Sequence, residues 1–271
     1  MRLAILSLGG EELRADLGKP SDLSIPLEFD GPQPSHFGAA AASATPLDGQ
    51  GFVGDTRKGG SCNCSEYRLV AHCNGTHTEC VGHVTDERVS VRDALRPGLW
   101  VALLMSVRPV KAPDSSDLVI TRRMLEEARA RGPARDAEAW VIRTEPNSPE
   151  KLRRRYETAN PPPYFTTDAV ELAVACGIEH LVLDLPSLDR SHDEGRLAGH
   201  RIFWGLPPGS RSLASARRPQ ATITELAFIP ASVADGRYFL DLQIAPFASD
   251  AAPSRPVLFP VVTQRRAMAA S

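Results

Sequence analysis

The sequence lacks any strong bias of charge. Across 271 residues, 31 Lys and Arg stand against 33 Asp and Glu, a net charge of −2. No basic stripe points to nucleic acid or an anionic membrane, so a small-molecule substrate is the expected partner. Long hydrophobic runs are also missing. No segment reaches the roughly 18 uncharged apolar residues that cross a bilayer, and the strongest run, Leu99 to Val107, has the length of a buried strand. The apolar stretch within Met1 to Gly10 is too short for the core of a signal peptide, so a cytoplasmic location is expected. Cysteine is scarce and odd in number: Cys62, Cys64, Cys73, Cys80 and Cys176. The odd count, with no signal peptide expected, argues against a disulfide framework, and the lack of any Cys-x-x-Cys pair argues against a zinc knuckle. There is no internal repeat. What remains is ordinary for a soluble globular protein, with 42% hydrophobic and 24% charged residues in a chain long enough for a sizeable core.

Residues 1 to about 60 are rich in Gly, Pro, Ala and Ser, and Pro32 to Gly51 reads as an extended surface segment. Asp22 to Leu27 reads as a short strand within it. Tyr67 to Ala71 reads as a strand ending at the Asn74-Gly75 turn signal. Leu99 to Val107, Ala139 to Arg143, His180 to Leu185, Tyr238 to Ile244 and Val257 to Val262 read as further strands. Helices are expected over Thr121 to Arg131, stopped by Gly132-Pro133, and over Asp168 to Ala175, with Thr167 as cap and Gly177 beyond. Ser148-Pro149-Glu150 opens a shorter helical piece, and Gly205 to Gln220 reads as a surface loop. Helices alternate with strands in the middle while strands dominate the ends. This predicts a single α/β domain with a mixed sheet.

The chemistry concentrates in His72 to His83. Three of the seven histidines, two cysteines and one carboxylate fall within twelve residues. Imidazole, thiolate and carboxylate are the common ligand types for zinc and similar ions. In an extended chain His77 and Glu79 project to one side and Thr78 to the other. On a helix His77 and Glu79 would lie about 200° apart. Asn74-Gly75 before them and Gly82 after them argue for a strand or tight loop.

Gly75-Thr76-His77-Thr78-Glu79, with His83 six residues beyond His77, resembles the signature of the cyclase family of metal-dependent hydrolases, His-x-Gly-Thr-His-x-Asp-x-Pro-x-His. That family takes in bacterial kynurenine formamidase (arylformamidase) and isatin hydrolase. Further pieces resemble it in order: Asp22-Leu23-Ser24, Asp184 to Asp189, His200, Glu225 within Thr224-Glu225-Leu226, Ile244-Ala245-Pro246, and Asp250 to Arg255. The resemblance runs from about residue 20 to 263, leaving 1–20 as an N-terminal extension to a domain over 21–271. It implies a swivelling β/β/α fold, a homodimer or larger assembly, and a divalent metal, zinc or manganese. By the same resemblance His77, Glu79, His200 and Glu225 bind metal, with Cys73 a further ligand, and His83 is the general acid/base. The substrate implied is a small aromatic or cyclic amide. Three positions depart from the pattern: Cys73 stands where the family has its first ligand histidine, Glu79 replaces an aspartate, and Val81 replaces the proline.

Other residues carry a choice of readings. Phe203 and Trp204 beside His200 could wall an aromatic pocket or pack in the core. Asp184 and Asp189 could be turn formers or could support the site. Asp55 and Arg57 could form a polar entry or a surface turn. His36, His180 and His192 read as structural or exposed. Competing readings of the whole chain are a structural zinc protein using Cys62, Cys64, Cys73 and Cys80, a cysteine hydrolase using Cys73 or Cys80, and an inactive family member that binds a metabolite.

Overall fold

The computed structural model describes residues 2–8, 10–132, 137–157 and 160–262. Its centre is a mixed sheet closed into a seven-membered ring. The order is Gly236–Ile244, Leu99–Val107, Ala139–Thr144, His180–Leu183, Thr222–Glu225, His77–Glu79 and Ala251–Pro260, which pairs back with Gly236–Ile244. The two-residue strand Ser21–Asp22 adds to the outer edge of Ala251–Pro260. Pairing is parallel from Leu99–Val107 through Ala139–Thr144 and His180–Leu183 to Thr222–Glu225. Both neighbours of His77–Glu79 are antiparallel. Closure removes the open edges that a flat sheet of these strands would expose.

Alternation along the strands divides the core in two. Leu103, Met105, Trp140, Ile142, Leu181, Leu183 and Ile223 face outward into the larger apolar cluster. There they meet Leu125 and Ala128 of the helix Arg122–Ala130, and Ala169, Val170 and Ala173 of the helix Thr167–Ala175. Ala102, Leu104, Ala139, Val141, Val182, Leu240 and Leu258 face the other way and fill the ring with Leu23 and Trp100. Leu99–Val107, Ala139–Thr144 and His180–Leu183 are buried on both faces, and so they read in sequence as mostly apolar runs. Thr121 caps its helix by accepting from the Met124 N–H.

The N-terminal part is more ordered than its composition implies. Leu3–Leu8 and Glu11–Asp16 form an antiparallel hairpin. Its Leu13 and Ala15 are buried against Val101 and Phe239. The strand expected over Asp22 to Leu27 stops after Asp22, because the Asp22 carboxylate turns back to accept from the Ser24 N–H and hydroxyl, and Pro26 follows. The strand expected over Tyr67 to Ala71 lies at Ser65–Arg68, and Ala71–Asn74 is a one-turn helix held by the Asn74 side chain accepting from the Val70 N–H. The helix expected from Asp168 begins at Thr167, with Thr166 rather than Thr167 in the cap position and no side-chain cap bond.

Candidate metal centre

His77–Glu79 sits between two antiparallel partners, and its register brings the site together. His77 lies opposite Glu225 in one neighbour, and Glu79 lies opposite Ala251 in the other, one residue after Asp250. His77 and Glu79 share a face. Thr78 points away and bonds the Thr224 hydroxyl at 2.8 Å. The one-turn helix Ala71–Asn74 delivers His72, and the turn Val81–His83 delivers His83. His200 comes from the helix Ala198–Trp204, anchored from the loop before it by Asp189.

Two imidazoles are fixed in the same way. The Gly75 carbonyl takes the His77 Nδ1 proton at 3.0 Å, and the Asp189 carboxylate takes the His200 Nδ1 proton at 2.6 Å. In both, Nε2 is left facing the centre, the arrangement that outer partners impose on metal-ligating histidines. His200 Nε2 lies 2.9 Å from Glu79 Oε1 and 3.5 Å from Glu225 Oε1, and His77 Nε2 lies 3.6 Å from Glu225 Oε2. His72 bridges two carboxylates, with Nδ1 3.0 Å from Glu79 and Nε2 2.9 Å from Asp250. His83 stands 3.9 Å from Glu79 and 3.4 Å from Asp250.

Glu79 is 1% exposed, and neither of its oxygens has a properly aligned hydrogen-bond donor; nor has the buried His77 Nε2. An isolated carboxylate in such a place costs several kcal/mol unless a cation compensates it. A second buried carboxylate, Glu225, repels Glu79 from close by. Burial raises the Glu79 pKa, but the charges of His83 and His200 outweigh it and hold the group well below its ordinary value. Burial lowers the His200 pKa, and Glu79 and Asp189 reverse this to well above ordinary. Burial likewise lowers the His72 pKa, but the bond to Asp250 and the charge of Glu79 beside it carry it up to about 10. Among the described residues, the positive charge paired with Glu79 and Glu225 comes from protons on imidazoles. A divalent ion fits in their place, since the donors are imidazole nitrogens and carboxylate oxygens converging within one small volume. Three groups of donor atoms lie within 4.8 Å of one another: His72, His77 and Glu79; Glu79, His83 and His200; and His72, His83 and Asp250. The first two meet in Glu79.

The centre opens into a cavity of about 690 Å³ whose wall includes His72, His83, Glu225, Phe37 and Arg190. The structure thus brings together five of the residues singled out in sequence: His77, Glu79, His83, His200 and Glu225. Cys73 lies one residue from His72. Its buried thiol is pushed up in pKa by desolvation and by the Glu225 charge, and it joins none of the donor groups among the described residues. Cys62 and Cys64 are exposed, and no cysteine belongs to those groups. Phe203 and Trp204 are fully buried core residues, Trp204 packing on the His200 ring. Asp55 caps a turn through Arg57 and does not line the cavity. Sequence reasoning passed over His72 and Asp250. His72 was hidden by the motif alignment, which places the first ligand on its neighbour. Asp250 was noted only as the start of a segment resembling the family; it lies 167 residues from His83, and nothing local gives it a place at the site.

Comparison with known proteins agrees with this architecture. The family model described as "Putative cyclase" matches residues 21–190. A "predicted metal-dependent hydrolase" from Bacillus stearothermophilus superposes with a TM-score of 0.57 at 15% identity, over 89% of this chain and 98% of that one. Isatin hydrolase A from Labrenzia aggregata, solved with benzyl benzoate, superposes with a TM-score of 0.61 at 14% identity, over 89% and 93%. Isatin hydrolase A from Ralstonia solanacearum gives 0.58 at 14% identity, over 89% and 91%. These likenesses are of fold. No curated protein matches the chain.

Proposed function

The chain belongs to the cyclase family, and from that premise we propose that it is a metal-dependent hydrolase that cleaves a small amide, arylformamidase-like in substrate. The observation that carries the reading is Glu79: a buried carboxylate with no aligned donor, ringed by imidazoles at 2.9 to 3.9 Å. Proteins do not keep such a group without a charge to match it.

His77, Glu79, His200 and Glu225 would hold the ion, zinc or manganese, with His72 from the side where the family places its first ligand. A bound divalent ion supplies Lewis acidity, polarising the scissile carbonyl and drawing the pKa of water toward 7. The remaining work falls to the chain. Asp189 and the Gly75 carbonyl hold protons on the Nδ1 atoms, so both Nε2 lone pairs stay aimed at the centre. The Leu188 N–H, donating to Glu225 Oε1 at 2.7 Å, fixes that carboxylate. His83 is the general acid/base. It is about a quarter exposed, lines the cavity, and has Asp250 beside its Nδ1. Its Nε2 can take a proton from attacking water and return it to the leaving nitrogen.

The test is hydrolysis of N-formylkynurenine by the purified protein before and after chelation. Turnover that chelator abolishes and zinc or manganese restores supports the reading. Turnover indifferent to chelator and blocked by thiol alkylation would replace it with a cysteine mechanism. Metal bound without turnover of this or other aromatic and cyclic amides would favour an inactive, metabolite-binding member.

A further inference from the structure

A second cavity, of about 800 Å³, lies between residues 30–41 and residues 153–157 and shares no lining residue with the one beside the metal centre. One wall comes from the run Arg153-Arg154-Arg155. The backbone at Arg154 is extended (φ −70°, ψ 130°), so its two neighbours project to one side and Arg154 to the other. Arg154 lies over the Tyr156 ring, 6.0 Å from its centroid, and 3.9 Å from Glu150. Arg153 and Arg155 both line the cavity. Both are exposed, and neither has a hydrogen-bond or ion-pair partner among the described residues.

The other wall is a run of small residues with spare backbone donors. The N–H groups of Gly38, Ala40 and Ala41 donate to nothing among the described residues. This wall is held in shape. The buried Gln33 side chain accepts from the Ala42 N–H at 2.6 Å and donates to the Glu28 carbonyl at 2.9 Å. Ser35 ties the walls together: its N–H donates to the Arg154 carbonyl at 3.1 Å, and its carbonyl accepts from the Tyr156 N–H at 2.9 Å. Two carboxylates share the lining. Asp30 already accepts from the Ala44 N–H at 3.1 Å, which leaves Glu157 against two guanidiniums.

We propose that this cavity is a binding site for a phosphate group, free or carried as a monoester, held by Arg153 and Arg155 with the backbone N–H groups of Gly38, Ala40 and Ala41. Guanidinium forks match phosphate oxygens two at a time. Unpaired backbone N–H groups in a concavity add fixed partial positive charge without adding side chains. Walls tied to each other before the ligand arrives lower the ordering cost of binding. The volume leaves room for a small organic body beyond the phosphate. The site stands apart from the metal centre and does not depend on the reaction proposed there.

The test is isothermal titration calorimetry of the metal-loaded protein with phenyl phosphate, and separately with inorganic phosphate. An anion can also meet the metal centre, so the quantity read is the difference between wild type and a variant carrying both Arg153→Gln and Arg155→Gln. The wild type should take up one more equivalent than this variant, with the melting temperature of the two alike. Each substitution alone should weaken that equivalent about tenfold, as loss of a charge-assisted bond does, and the single variants carry the test should the double one fail to fold. No uptake by the wild type, or uptake of equal stoichiometry and affinity in wild type and variants, overturns the proposal. Within the extra equivalent, tighter binding of phenyl phosphate than of inorganic phosphate identifies an ester as the ligand, and binding no tighter identifies the free ion.

Discussion

Replacing Asp189 with Asn should weaken metal binding without removing any ligand. The Asp189 carboxylate accepts three bonds: from the Gly199 N–H at 2.7 Å, from the His200 N–H at 3.1 Å, and from His200 Nδ1 at 2.6 Å. Asn offers one acceptor oxygen and an NH₂. If the oxygen keeps the backbone donors, the NH₂ meets Nδ1 and forces the proton to Nε2, where it blocks the lone pair. If the oxygen keeps His200, backbone N–H groups lose their acceptor in a buried place. Asp189 and Gly199 are in close approach, since a Cβ on Gly199 would stand 2.8 Å from Asp189 Oδ1. Outer-partner changes of this kind typically cost about 10- to 100-fold in metal affinity, or about 1.4 to 2.8 kcal/mol. The assay is competition for zinc against a chromophoric chelator at fixed pH. An Asp189→Asn affinity within about twofold of wild type, with His200→Ala losing the ion, would show that the Asp189 bond does not set the tautomer.

Three further outcomes follow from the same geometry. His83→Ala should keep the metal but lose turnover by about 10²- to 10⁴-fold; loss of the ion in equal measure would make His83 a ligand instead. Lys151→Met should destabilise the fold by about 3 to 5 kcal/mol in urea denaturation, because Lys151 lies 2.7 Å from the fully buried Asp184, whose pKa burial already raises. A loss under 1 kcal/mol would mean Asp184 finds another partner. Finally, His72 is held near 10 in the folded metal-free protein, against about 6.5 when unfolded. That contribution to stability is complete below about pH 6.5 and is lost as pH rises through 10, so the metal-free melting temperature should fall across that window. Calorimetry in chelator reads this directly, and a rising melting temperature would contradict it.

The ring strands Leu99–Val107, Ala139–Thr144 and His180–Leu183 were legible because burial on both faces leaves mostly apolar runs. The His77–Glu79 pair was legible because the period of two is the only local geometry that puts both side chains in one pocket. The helix that carries His200 was not. Gly199 sits inside it and lowers helix propensity by about 1 kcal/mol, and its reason, the close approach of Asp189, is a contact ten residues away. Thr222–Glu225 is four residues long and follows a Pro- and Arg-rich loop. Nothing local distinguishes it, and its register against His77 is what places Glu225. Asp250 acquires meaning only when loops distant in sequence meet at one cavity.

Whether the buried Glu79 carboxylate holds a metal ion is decided by elemental analysis of the purified protein beside Glu79→Gln. About one to two equivalents of zinc or manganese are expected in the wild type and, in a folded Glu79→Gln variant, little or none. A wild-type protein that stays metal-free after reconstitution with either ion, or a variant that keeps its full complement, would contradict it.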